Sequence, residues 1–261
     1  MEAGAAVNLQ RRFGGLQRLY GVHGAALIRN AHVVVVGIGG VGSWAAEALA
    51  RSGVGEISLI DLDHVSESNI NRQVHALEST LGQPKVQAMR ERIAQINPDC
   101  VVTCVEEFVG PENWLQLLPY GVDAVIDACD QMAAKTAMAL WAMGERRIFI
   151  TVGAAGGKRL AHHVEIDDLG RATHDPLLAQ LRYRLRKFHG APREARPIGV
   201  QSVFSREAVA QPDPSCAIPS DGTLNCHGYG STVAVTATFG QCAAGWVLDR
   251  LATRSACIGT L

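Results

Sequence analysis

The chain has 261 residues, 48% of them apolar and 19% charged, with a formal net charge of −1. That supplies the core of one large α/β domain, or of a core domain with an appended segment, and excludes a chain that is basic throughout. Seven cysteines contain no CxxC pair, which disfavours both a tetrathiolate zinc site and a secreted disulfide scaffold.

Residues 8–30 carry Arg11, Arg12, Phe13, Leu16, Leu19, Tyr20, Leu27 and Ile28 and predict helical structure ahead of the first strand. The opening Met1-Glu-Ala-Gly-Ala-Ala-Val lacks the basic and apolar runs of a secretory signal. No stretch reaches about 18 uninterrupted apolar residues. The expectation is a cytoplasmic protein with no stable membrane insertion.

Four valines, 33–36, predict a buried strand that runs straight into the turn Gly37-Ile-Gly-Gly-Val-Gly42. A helix over 44–51 follows, ended by Gly53, and a second strand over 57–60 leads to Asp61. Strand, glycine turn, helix and an acidic residue after the next strand form a nucleotide-binding βαβ unit. Glycines let the backbone approach a phosphate, and the helix start offers unpaired N–H groups and a positive dipole end.

Residues 61–80 are polar and predict a long functional loop. A helix over 83–97 follows, with Pro84 in its first turn and Val86, Met89, Ile93 and Ile96 on one face. Strands are expected over 101–105, 122–127 and 147–152, and an Asp-initiated helix over 130–143. This order argues for an α/β fold: a doubly wound, mostly parallel sheet of Rossmann type with a C-terminal extension. Residues 1–155 are expected to form the nucleotide-binding core with N-terminal helices. Residues 156–261 form a substrate-side extension integrated into the same domain, with a strand over 162–166, a helix over 175–189, loop through 190–228 and a last apolar helix over 233–248. Thr236, Gly240 and Gly245 in that helix predict close packing against another element.

Four features separate this cradle from a dinucleotide site. Asp61-Leu-Asp63 places two carboxylates at a strand end, one for a ribose and one near Mg²⁺ or in a plain acidic loop. Asn69-Ile-Asn-Arg72-Gln73 offers a guanidinium fork suited to phosphate oxygens, or a capped loop. Lys85 falls in the first turn of a helix, where the dipole disfavours a cation unless an anion such as a triphosphate sits there. Asp130, in Asp127-Ala-Cys-Asp130, suits either a metal near the phosphates or a helix N-cap.

At these residues the chain resembles the ubiquitin-activating-like (E1-like) adenylating superfamily, which includes the molybdopterin- and thiamine-pathway (ThiF) enzymes. The glycine turn, Asp61-Leu-Asp63, Ser68-Asn-Ile-Asn-Arg-Gln73, Gly82-Gln-Pro-Lys85 and Asp127-Ala-Cys-Asp130 agree in order and spacing. Arg12-Phe-Gly-Gly15, Arg18-Leu-Tyr-Gly21, the run 37–51, the run 71–77 and Gly153-Ala-Ala-Gly-Gly157 are similar to its tRNA threonylcarbamoyladenosine dehydratase branch. That resemblance implies ATP-dependent cyclisation of N6-threonylcarbamoyladenosine at tRNA position 37, through an acyl-adenylate, with release of AMP and pyrophosphate. It places Gly37, Gly39, Gly40, Gly42 and Asp63 at the nucleotide and Asp61 at its ribose. Asn69, Arg72 and Lys85 would stabilise phosphate charge, and Asp130 would organise Mg²⁺. It also allows a structural monovalent cation (Na⁺ or K⁺) and sulfur-transfer protein partners.

The resemblance further implies a homodimer in which an N-terminal arginine, Arg12 or else Arg18, reaches across to the other copy. Cys226 is the best cysteine for a thioester, which ring closure within one substrate does not need. The basic stretch 182–196, with Tyr183 and Phe188, is a candidate path for tRNA phosphates and bases, or a solvated helical face. His162 and His163 are adjacent and do not make a metal pair. The competing enzyme reading is adenylation of the C-terminal Gly-Gly of a small sulfur-carrier or ubiquitin-like protein. A nicotinamide oxidoreductase leaves Arg72, Lys85 and Asp130 without a joint purpose.

Overall fold

The computed structural model describes residues 8–145, 147–193, 196–211, 213, 215 and 229–254. Helix α1 (Leu9–Arg29) begins where the Asn8 side chain accepts from Arg11 N, and it kinks at Gly21, whose φ is +74°. Then come β1 (His32–Val36), α2 (Gly42–Arg51), β2 (Glu56–Ile60), α3 (Lys85–Ile96), β3 (Val101–Val105), the short α4 (Trp114–Leu117), β4 (Ala124–Asp127), α5 (Met132–Glu145) and β5 (Ile148–Val152). The remainder comprises β6 (Val164–Asp168), α6 (Pro176–Phe188), β7 (Gln201–Ser205) and α7 (Val233–Ala252).

All seven strands form one sheet in the order β3-β2-β1-β4-β5-β7-β6, parallel except for β6 at the edge. Every residue of β1 is buried, as both faces of a parallel sheet require. Val33 and Val35 point to one face, where α2, α3 and α7 pack with Leu49, Met89 and Phe239. Val34 and Val36 point to the other, covered by α5 and α6 through Met138, Leu181 and Leu185. The chain order reverses between β1 and β4, and the crevice at the carboxyl ends of those strands is where such sheets take ligands.

Four sequence expectations change. Strand β7 lies inside the stretch expected to be loop. Its short Gln-Ser-Val-Phe-Ser run becomes a strand by pairing parallel with β5 and antiparallel with β6. Helix α5 starts at Met132, so Asp130 is not its N-cap. Pro84 precedes the first helical residue of α3 and does not sit inside its first turn. In α7, a Cβ on Gly240 would stand 2.8 Å from Ala45 N, so the helix does rest on the backbone of α2 there; Gly245 faces open space.

Candidate active site

The cradle starts with a turn that excludes side chains. Gly37 has φ +84°, and a Cβ on it would meet Cys129 N at 2.8 Å. A Cβ on Gly42 would fall 1.7 Å from Gly37 O. These two glycines therefore build the turn itself. Gly39 differs: nothing lies within 4 Å of its Cβ position, so it leaves room for a ligand. A Cβ on Gly40 would meet Arg72 Cγ and Thr236 Cγ2, both at 3.3 Å.

From the end of β2, Asp61 spans the mouth of that turn. Its Oδ2 accepts from Ile38 N at 2.6 Å and its Oδ1 from Asp63 N at 2.8 Å. Burial pushes the Asp61 carboxyl up, against the opposing pull of Lys85 and these two N–H groups. Lys85 opens α3 with only 5% of its surface exposed, and its Nζ lies 2.7 Å from Asp63 Oδ2. That carboxylate compensates a cation at the helix end where the dipole disfavours one. The Asp63 carboxylate is thus engaged by Lys85.

Gly37, Gly39, Asp61, Asp63, Lys85 and Asp130 line one cleft at the carboxyl edge of β1, β2 and β4. Asp127, three residues before Asp130, has a different fate. It is fully buried, accepting from Lys135 Nζ at 3.0 Å and Thr151 Oγ1 at 2.6 Å. Asp127 and Thr151 are register partners on β4 and β5, so this triad ties the strand ends together beneath the cleft. Sequence reasoning missed Lys135 and Thr151. The available signal was one lysine in the otherwise apolar start of α5, Met132-Ala-Ala-Lys135. The Cys129 thiol lies 3.1 Å from Asp127 Oδ1, and burial with that carboxylate holds its pKa well above the usual thiol range.

Asn69 and Arg72, like Gly40 and Gly42, are not among the residues that line the cleft. Asn69 is buried, and its Oδ1 accepts from Ser66 N at 3.1 Å, capping a short 3-10 turn. Arg72 Nη1 donates to Ser68 O at 2.6 Å and Asn71 Oδ1 at 2.9 Å, while Arg72 O accepts from Trp44 Nε1 at 2.9 Å. Arg72 thereby binds the 66–73 loop to the glycine turn and α2.

Arg12 is not at its own chain's cleft. Its Nη1 donates to Ile96 O at 2.7 Å, at a separate cavity of about 730 Å³ between the start of α1 and α3. Arg18 is exposed on α1. This cavity and the chemistry-bearing cleft are therefore different places. The cleft holds the glycine turn and the converging carboxylates and lysine, so it is the candidate active site.

The basic stretch on α6 divides in two. Arg182 donates to Leu169 O and Ala172 O, and Arg186 to Pro192 O, so both bind the fold. Lys187 Nζ donates to Tyr183 Oη at 2.8 Å and lies over the exposed rings of Tyr183 and Phe188. Tyr183 is thus a surface residue. His162 and His163 lie in a 3-10 turn with rings edge to face, not in a strand. Among the described residues no group of three or more His, Cys, Asp or Glu is placed to hold a metal ion. Cys226 lies outside the described residues. No helix among those described is long and apolar enough to cross a membrane.

The tRNA threonylcarbamoyladenosine dehydratase of Haemophilus influenzae is 41% identical over 246 residues, covering 94% of each chain. That of Escherichia coli is 42% identical over 256 residues, covering 95% of this chain and 96% of the relative. The crystal structure of the E. coli tRNA N6-threonylcarbamoyladenosine dehydratase, TcdA, in complex with ATP superimposes with a TM-score of 0.84 at 43% identity, over 93% of this chain and 94% of that one. A model of the ThiF family matches residues 10–252, and the chain belongs to the ThiF family.

Proposed function

We propose that this protein catalyses ATP-dependent dehydration of N6-threonylcarbamoyladenosine at position 37 of tRNA. The observation that carries the reading is the convergence of the Gly37–Gly42 turn, Asp61, Lys85 and Asp130 on one cleft, in a chain similar over nearly its whole length to dehydratases, one of them solved with ATP. The substrate carboxylate attacks the α-phosphorus, the bond to the bridging oxygen breaks, and pyrophosphate leaves. A nucleophile in the same side chain then attacks the acyl carbon and expels AMP. Carboxylate attack needs little proton removal, so charge stabilisation dominates.

In this reading Gly37, Gly39, Gly40 and Gly42 bring backbone to the nucleotide, and Asp61 accepts from the ribose hydroxyls. Lys85, Arg72 and Asn69 hold the phosphates. Mg²⁺ takes one or two carboxylates together with substrate phosphates. Asp130 fits that role, since Asp63 is engaged by Lys85 and Asp127 by Lys135. When bound, the ion would neutralise charge on the phosphates. The same reading includes a homodimer in which Arg12 serves the partner's cleft, a structural Na⁺ or K⁺, a cytoplasmic location and sulfur-transfer partners. Residues 156–261 belong to the same domain as 1–155, supported by the pairing of β7 with β5.

The test is incubation with ATP, Mg²⁺ and tRNA carrying the threonylcarbamoyl group, followed by mass analysis of nucleosides. Loss of one water with equimolar AMP is expected. An unchanged nucleoside mass with folded, ATP-binding protein would overturn the assignment. Turnover of a carrier protein ending in Gly-Gly instead would establish the competing reading.

A further inference from the structure

Phe108 and Val109 are neighbours in the turn between β3 and α4, and they have opposite fates. Val109 is buried in the core on the α5 face of the sheet. Phe108 is 53% exposed and lines the nucleotide cleft. A single exposed aromatic residue is ordinary on a protein surface. Two further observations set this one apart.

The first is Leu62. It follows Asp61, lines the same cleft and is 39% exposed. Asp61 N donates to Val105 O at 3.1 Å, so the segments that leave β2 and β3 start side by side. Leu62 and Phe108 thus place apolar surface on the β2–β3 side of the cleft, next to the carboxylate assigned to the ribose. Gly37, Gly39 and Asp130 lie on the β1–β4 side. A nucleotide with its phosphates at the glycine turn and its ribose on Asp61 therefore has its base toward Leu62 and Phe108.

The second is Asn113, which lies just before α4 and does not line the cleft. Its Nδ2 donates to Phe108 O at 2.8 Å, and its Oδ1 accepts from Gly110 N at 2.7 Å. One amide thereby closes the 108–110 turn, satisfying a carbonyl and an N–H that no strand pairs. Trp114 N donates to Gly110 O at 3.0 Å, and the Trp114 side chain is buried, which ties this turn to the core. Among the described residues no other ring and no cation stacks on Phe108. A flat ring held in place suits a nucleotide base, because every base has a face to stack and a ring already ordered loses little freedom on binding.

We propose that Asn113 is a positioning residue for the nucleotide: it holds the 108–110 turn so that Phe108, beside Leu62, forms the wall on which the base stacks. The inference rests on the reading of this cleft as the ATP site. Phe108 touches the base, and Asn113 acts only through Phe108.

The test is calorimetric titration of the full chain with AMP. Phe108→Ala should weaken AMP binding about 5- to 150-fold, the range of one base–aromatic stack. Asn113→Ala should weaken it by less, about threefold. In the Phe108→Ala background, Asn113→Ala should cause no further loss, since the ring it positions is gone. Phe108→Trp keeps a stacking face and reports on it directly, whatever Asn113→Ala does to folding. Its emission, taken as the difference from the parent, should be quenched by AMP and left unchanged by ribose 5-phosphate. Full AMP affinity in Phe108→Ala, or no AMP-dependent change in the Phe108→Trp emission, would overturn the base wall. Independent, additive losses from Phe108→Ala and Asn113→Ala would overturn the positioning role. AMP binding is read without tRNA, so an unchanged nucleoside mass in the dehydration assay would remove that activity and leave this result standing.

Discussion

Lys85 Nζ lies 2.7 Å from Asp63 Oδ2, and the backbone closes the same contact, with Lys85 N donating to Asp63 O at 2.9 Å. The ammonium is therefore buried, oriented and neutralised before any nucleotide arrives. A donor held in place needs no reorganisation when phosphate charge develops. Asp63 remains half-exposed and can yield the cation to a stronger acceptor.

Lys85→Met should reduce ATP–pyrophosphate exchange by about 10²–10³-fold, the usual cost of one preorganised charge stabiliser. Asp63→Asn should change exchange by less than about tenfold, because the lysine stays in place. Unaltered exchange in Lys85→Met would remove Lys85 from the phosphates.

Lys135→Met should destabilise the protein by about 3–5 kcal/mol, since it leaves the Asp127 carboxylate buried without its cation. The double variant Asp127→Asn, Lys135→Met should recover most of that loss, because a neutral side chain still accepts from Thr151. Thermal unfolding of the parent and the two variants decides this. A single variant as stable as the parent would show that the pair does not brace the strand ends.

His75 gives a stability that depends on pH. Burial, with Lys85 and Arg92 nearby, lowers its folded pKa to about 4, against 6.5 for the free side chain. Between those values the unfolded chain binds more protons, so stability is full above about pH 6.5 and is lost as pH falls toward 4. A shift of that size corresponds to about 3 kcal/mol. His75→Gln should flatten this part of the profile, as read by urea unfolding at pH 7, 6, 5 and 4. An unchanged slope would place the titration elsewhere.

If tRNA runs along α6, Lys187→Ala should lower the salt dependence of tRNA binding by about one unit of log K per log salt. Tyr183→Ala should weaken binding by about 1–3 kcal/mol if the exposed ring stacks on a base. Arg182→Ala should act differently: it frees Leu169 O and Ala172 O and should lower the melting temperature first. Equal effects of Lys187→Ala and Arg182→Ala on the salt slope would contradict the division of this surface.

The sequence by itself determined the βαβ cradle, the mostly parallel sheet and the order of its first five strands along the chain. Those features are written in neighbouring residues. Four valines with both faces buried specify a central strand, and Gly37 and Gly42 stand where any side chain would strike backbone of the turn itself or of the adjacent 128–129 loop. Asp61 and Lys85 were legible because a strand end and a helix start announce themselves locally.

Only the tertiary structure decided what distant residues do to one another. Asp127 and Asp130 are the same residue type three positions apart. Lys135 and Thr151 bury the first, while the second lines the cleft. Strand β7 exists because β5 and β6 offer edges on either side of it. Arg12 lies at a cavity instead of its own cleft because Ile96, 84 residues away, holds its guanidinium. Arg182 and Lys187 share one helix, yet one binds carbonyls of the fold and the other faces solvent. A side chain's role follows from the partners that burial brings within bonding distance, and local pattern does not encode those partners.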